Sequence, residues 1–180
     1  MLEYQVLYAS RTGNTKQVAK EIFAALPGRF KDICDLAEGT EPREAGLYFV
    51  GSCINSGTCD GMVMNALSAL HGKQVALFGT CGMGRNREYC RQIAKNIQAF
   101  VPEDCEYLGA FLCQGKMPMD VRRKYEELRQ RGIWQEQLTL LIENFDEGML
   151  HPDEQDMQHA REFVNQILQG RNVTQVATGH

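Results

Sequence analysis

The chain has 180 residues, 43% hydrophobic and 23% charged, which suits one compact domain with a buried core. Nineteen basic and 23 acidic residues leave a net charge of −4, so nothing electrostatic points to nucleic acid. No apolar run approaches the roughly 18 residues of a membrane span. The N-terminus enters a strand-like segment without a signal-peptide pattern, so a cytoplasmic protein is expected.

In chain order, residues 2–9 read as a largely buried strand. The run Val6-Leu7-Tyr8-Ala9 breaks into Ser10-Arg11-Thr12-Gly13-Asn14-Thr15, and an amphipathic segment carrying Val18, Ile22, Phe23 and Leu26 follows at once. It stops at Pro27-Gly28. Residues 30–36 form a second strand, and Leu47-Tyr48-Phe49-Val50-Gly51 a third. The third runs into a polar loop, residues 52–60, and a short helix over 62–70. Val75-Ala76-Leu77-Phe78 is a fourth strand, ending in Gly79-Thr80-Cys81-Gly82-Met83-Gly84. A helix with Tyr89, Ile93, Ile97 and Phe100 on one face stops near Pro102. Residues 105–113 form a fifth strand, ending in Gln114-Gly115-Lys116. A charged helix (120–131) and a second helix with Trp134, Leu138, Leu141, Ile142 and Phe145 at helical spacing make an excursion over residues 116–150. Pro152 starts a last helix, with Asp153 and Glu154 in its first turn. Residues 171–180 read as a flexible polar tail.

Continuously apolar strands alternating with helices imply a parallel sheet covered on both faces. The expected architecture is α/β: a single domain over residues 1–180, a three-layer sandwich on a five-stranded doubly wound sheet of order 2-1-3-4-5. Ligands of such sheets sit beyond the carboxyl ends of the strands, at the switch point between the first and third. Three polar, Gly-rich loops surround that point. The first combines hydroxyls (Ser10, Thr12, Thr15), a glycine that admits close approach and a helix N-terminus, which makes an anion site. The triphosphate pattern GxxxxGK[ST] is absent, as is GxGxxG after the first strand, and a single terminal phosphate fits best.

Ser10-Arg11-Thr12-Gly13-Asn14-Thr15 resembles the phosphate motif of the flavodoxins, S/T-x-T-G-x-T, and the strand–helix alternation matches that family through most of the chain. Gly57-Thr58-Cys59-Asp60, Lys73-Gln74-Val75-Ala76-Leu77-Phe78-Gly79-Thr80 and Cys113-Gln114-Gly115-Lys116 are similar to a bacterial subfamily of flavodoxin-like proteins, one branch of which is associated with bilirubin reduction. The resemblance implies non-covalent FMN. Ser10, Arg11, Thr12, Gly13, Asn14 and Thr15 would then hold the phosphate. Ser52, Cys53, Ile54, Asn55, Ser56 and Gly57, with Thr80, Cys81, Gly82, Met83 and Gly84, would flank the ring. In flavodoxins a carbonyl of the loop after the third strand turns toward the reduced ring, and Gly57 is the candidate because glycine tolerates both peptide orientations. Two features depart from the family. Neither ring-side loop has an aromatic residue, leaving Ile54 and Met83 as apolar cover. The chain is also only mildly acidic, with Arg85 and Arg87 near the expected ring.

Other residues carry two readings. Arg11 is a phosphate partner or a solvent-facing loop residue. The seven cysteines are odd in number and form no CxxC pair, which favours reduced thiols. Of these, Cys53, Cys59, Cys81 and Cys113 fall near the carboxyl edge, as redox or metal ligands or as small buried residues, and their spacing fits no metal motif. Cys34, Cys90 and Cys105 read as core thiols. Lys116 reaches the flavin edge or a partner, or is a solvated lysine. Trp134 and its stripe are core or a homodimer or partner face. Residues 122–127 read as a solvated helix face. The four histidines form no cluster. The functional expectation is an FMN-binding electron-transfer protein serving a redox partner. The alternatives are an FMN-dependent NAD(P)H:quinone-type reductase and a flavin-free interaction domain.

Overall fold

The computed structural model describes residues 1–84, 86–170 and 173–176. Its strands are β1 (Leu2–Ala9), β2 (Lys31–Asp35), β3 (Ala45–Cys53), β4 (Gln74–Cys81), β5 (Glu106–Gln114) and β6 (Val173–Val176). Its helices are α1 (Asn14–Ala25), α2 (Gly61–Ser68), α3 (Arg87–Gln98), α4 (Met119–Gln130), α5 (Gln135–Gly148) and α6 (Glu154–Leu168). All neighbouring strands pair in parallel, in the order β2-β1-β3-β4-β5-β6.

The sheet therefore has six strands, not five, and part of the expected flexible tail is a strand. Without β6, one side of β5 would leave its N–H and C=O groups unpaired along an edge. Val173 to Val176 fill that row opposite Gly109 to Leu112. Four residues beyond a helix are too few to show a period, so the sequence concealed them. The other tail residues lie outside the described residues. Gly109 makes the close approach possible: its φ is +132°, and a Cβ there would stand 1.9 Å from the Val173 carbonyl oxygen. Gly109→Ala is expected to lift β6 off the sheet at about 1–3 kcal/mol of local strain. Amide exchange over residues 173–176 would report it, and unchanged protection would count against the pairing.

Two apolar layers sandwich the sheet. Val18, Ala19 and Ile22 of α1, with Met157, Ala160, Phe163 and Val164 of α6, cover Val6, Phe49, Phe78 and Phe111 on one face. On the other, Val63 and Leu67 of α2 and Ile93 and Ile97 of α3 cover Leu7, Val50, Leu77 and Leu112. The excursion packs α4 on α5. Trp134 departs from its stripe. It precedes α5 as the N-cap in the left-handed region, φ 42°, and is 71% exposed, while Leu138, Ile142 and Phe145 are buried. Helical spacing cannot reveal that a residue stands one step before the helix. The last helix likewise starts after Asp153, which caps it in a capping box with Asp156 rather than lying in its first turn.

Candidate functional site

Parallel register brings the strand ends into one row: Ala9 opposite Ser52, Cys53 opposite Thr80, Cys81 opposite Gln114. Above it lies a cleft of about 240 Å³ lined by Arg11, Thr12, Asn14, Cys53, Ile54, Asn55, Thr80, Gly82, Gly115, Lys116 and Pro118. The cleft sits at the switch point, where β1 and β3 are neighbours and their crossovers leave on opposite faces. Among the described residues its lining includes Arg11 and Lys116 and no carboxylate.

The first loop is built around Gly13. Its φ of +91° turns the chain into α1, and its N–H donates to Ser10 Oγ at 3.1 Å. Among the described residues no side chain caps α1, whose N-terminus with its positive dipole end lies beside the cleft-lining Thr12 and Asn14. Asn14 is buried. Its Nδ2 donates to Thr12 Oγ1 at 3.0 Å and to the Lys116 carbonyl at 2.8 Å, joining the loops after β1 and β5. Gly115 must be small there, since a Cβ would come within 2.8 Å of Asn14 Nδ2. Thr15 is fully buried, and its hydroxyl meets that of Thr80 at 2.8 Å. Thr15 thus locks α1 to β4 instead of lining the cleft.

Arg11 pairs with Asp60 at 3.1 Å across the cleft mouth. Asp60 also caps α2, accepting from the Met62 N–H at 3.0 Å, and its own N–H donates to Ser52 Oγ at 2.8 Å. Ser52 is buried under the loop after β3 and holds it from within. The tip of that loop is a two-residue turn: Asn55 and Thr58 exchange backbone hydrogen bonds of 3.0 and 3.2 Å, with Ser56 at φ 51° and Gly57 at φ 80°. The Gly57 carbonyl accepts from Asn96 Nδ2 of α3 at 2.9 Å, and neither Ser56 nor Gly57 lines the cleft.

The loop after β4 places Gly82 on the cleft wall, while Met83 packs against the core on the α2–α3 side and Gly84 is buried. Cys81 lies behind this wall. A hydrogen bond from Cys90 holds its pKa below the usual thiol value, and the same bond pushes Cys90 up. Burial raises Cys53, Cys59 and Cys113. Cys105 is only half-buried, its thiol donating to the Leu70 carbonyl. Arg85 lies outside the described residues.

The structure therefore gathers Arg11, Thr12, Asn14, Cys53, Ile54, Asn55, Thr80 and Gly82 on one cleft, while Ser10, Gly13, Thr15, Ser52, Cys81, Met83 and Gly84 are not part of its lining. Gly115 and Pro118 also line the cleft without having been expected there, Asn144 reaches its Gly82 wall from α5, and Asn96 holds the Gly57 turn from α3. Only the Gln114-Gly115-Lys116 stretch gave a local signal. His151, Asp153 and Asp156 meet at the start of α6. His151 Nδ1 lies 2.6 Å from Asp156 Oδ2, and both carboxylates serve the capping box.

A family model described as a flavodoxin domain matches residues 5–165. The chain is 34% identical over 167 residues to the flavodoxin-like domain-containing protein BilS of Clostridioides difficile (strain CD3), covering 91% of this chain and 94% of that protein. Against BilS of Clostridium symbiosum (strain WAL-14163) it is 28% identical over 180 residues, with coverage of 91% and 94%. Among solved structures, a WrbA-like flavodoxin from Agrobacterium tumefaciens superposes with a TM-score of 0.50 at 13% identity, covering 90% of this chain and 99% of that one, a likeness of fold.

Proposed function

The chain belongs to the flavodoxin domain family, and from that premise we propose that it binds FMN in the cleft and transfers electrons to a redox partner protein in the cytoplasm. The observation that carries this reading is the uncapped N-terminus of α1 beside Thr12 and Asn14, at the switch point of the sheet. A buried-side helix start with no side-chain acceptor fits a phosphate group.

The flavin, when bound, supplies the electron-transfer chemistry. The chain's own residues bind and orient. The Thr12 hydroxyl accepts from Asn14, which leaves its proton free to donate to a phosphate oxygen. The N–H groups of Asn14 and Thr15 add donors along the helix dipole. Arg11, its charge balanced by Asp60, ties the first loop to the loop after β3. Ser10 fixes Gly13, Thr15 fixes Thr80, and Ser52 fixes the start of α2. Cys53, Ile54, Asn55 and Gly82 form the wall against which a ring would lie. Since the Gly57 carbonyl is engaged by Asn96, any turning of that carbonyl toward the ring must first break this bond.

Freshly purified protein should show flavin absorption and release FMN on denaturation. Colourless protein that also fails to bind added FMN would leave the flavin-free interaction domain. An FMN-dependent reductase of NAD(P)H and quinone-type acceptors is favoured by one observation: among the described residues no aromatic side chain lines the cleft, so a small acceptor meets little cover. Steady-state NADPH oxidation by the protein alone would establish that second reading. Cys53 offers a separate check. Burial raises its pKa, so at neutral pH little thiolate is present and alkylation is slow, accelerating as pH rises past the ordinary thiol range. Mass-mapped alkylation at Cys53 is expected to fall several-fold when FMN is added, and equal labelling with FMN bound would move the ring elsewhere.

A further inference from the structure

One buried polar group lies far from the cleft in sequence and acts on it. Asn144 sits on α5 among Leu138, Ile142 and Phe145, and is only 7% exposed. A buried amide on an apolar helix face is costly unless its hydrogen bonds are made. Asn144 directs its bonds to the strand ends. Its Nδ2 donates to the Gly82 carbonyl at 2.9 Å and approaches Met83 Sδ at 3.4 Å. Its Oδ1 accepts from Gln114 Nε2 at 3.3 Å. Gln114, itself 1% exposed, donates to the same Gly82 carbonyl at 3.1 Å and to the Asn144 backbone carbonyl at 3.2 Å.

The Gly82 carbonyl thus receives two donors from behind the wall. Side chains fill the remaining space: a Cβ on Gly82 would fall 2.5 Å from Met117, and one on Gly84 would fall 2.8 Å from the Gln114 Cα. Met83, the one bulky apolar side chain of the loop, has its sulfur held toward α5 and its body in the core, off the cleft. At Gly82 the wall is therefore flanked by the half-buried Met117 and not by Met83.

We propose that Asn144 is a positioning residue of the cofactor site: by anchoring the Gly82 carbonyl and the Met83 sulfur to α5, it fixes the cleft wall and keeps Met83 away from the cofactor ring. The excursion of α4 and α5 is then part of the site's scaffold. This inference rests on the FMN reading for its consequence, but its geometry is testable without FMN.

The test compares wild type with Asn144→Leu, which removes the donors at similar volume, and with Asn144→Ser, a smaller polar change that guards against failure to fold. In FMN-free protein, amide exchange at Met83 and Gly84 should accelerate at least tenfold in both variants, while α6 amides keep wild-type rates. In FMN-loaded protein, the dissociation constant should rise at least fivefold, and the visible circular dichroism of the flavin should change. Unchanged exchange at Met83 and Gly84 would overturn the proposal, as would acceleration spread equally over α5, α6 and the loop, which marks a packing role alone. If wild type itself binds no FMN, the functional reading fails, and the exchange result still decides the role of Asn144.

Discussion

Phe163→Ala should destabilise the fold by about 3–5 kcal/mol, the usual range for emptying a buried aromatic site. Phe163 is fully buried on α6. Its ring meets Phe49 of β3 edge-on at 6.3 Å and Phe111 of β5 in a stacked pair at 5.9 Å. These two strands flank β4, so one side chain on α6 braces three strands of the sheet centre. The cavity cannot collapse, because α6 is held independently by its capping box and by the Arg161–Glu21 ion pair to α1. For a chain of this size the loss corresponds to a fall of about 6–20 °C in Tm. Thermal and urea unfolding would measure it. A loss below about 1 kcal/mol would mean that α6 does not bear on the sheet as described.

Thr12→Val should weaken FMN by about 1.5–3 kcal/mol, the range for a hydrogen bond to a charged group, or roughly 10–150-fold in Kd. Valine keeps the shape of threonine and removes both the donor to phosphate and the acceptor of the Asn14 amide. Riboflavin, which has the ring without the phosphate, separates the contributions. Its affinity should fall far less than that of FMN in Thr12→Val, through loss of the Asn14 contact alone. Asn14→Ala should cost at least as much for FMN and should also weaken riboflavin, since Asn14 ties the Lys116 carbonyl, and with it residues 115–118, to the cleft. Equal losses for both flavins in Thr12→Val would place the phosphate away from Thr12.

The layers, the order of the first five strands and the switch-point cleft were legible in the sequence because they follow from local pattern. Apolar runs mark buried parallel strands, and each ends in Gly, Ser or Thr where a ligand loop belongs. The sixth strand was not legible, since Val173 to Val176 is short and its pairing depends on the distant Gly109. Trp134 misled for a related reason: spacing reports which side of a helix a residue occupies, and this one precedes the helix. The site divided along the same line. Residues within one loop, such as Thr12 and Asn14, were found together. Those that act across the fold, such as Asn96 on the Gly57 carbonyl and Asn144 on the Gly82 carbonyl, give no local signal, because an asparagine on a helix usually faces water. Arg11 showed the opposite limit. Its charge was visible, but its partner Asp60 is distant in sequence.

The all-parallel sheet also governs how the chain reaches this state. Among the described residues every paired strand is joined to its neighbour through at least one helix or a long connection, so no ladder of the sheet can begin from a hairpin. Each ladder requires a loop to close before its contacts form, and topologies of this kind fold more slowly than helical ones of similar stability. The β5–β6 ladder must wait for three intervening helices, so β6 is expected to gain protection last during refolding, after the switch-point cleft has already been assembled by β1, β3 and β4.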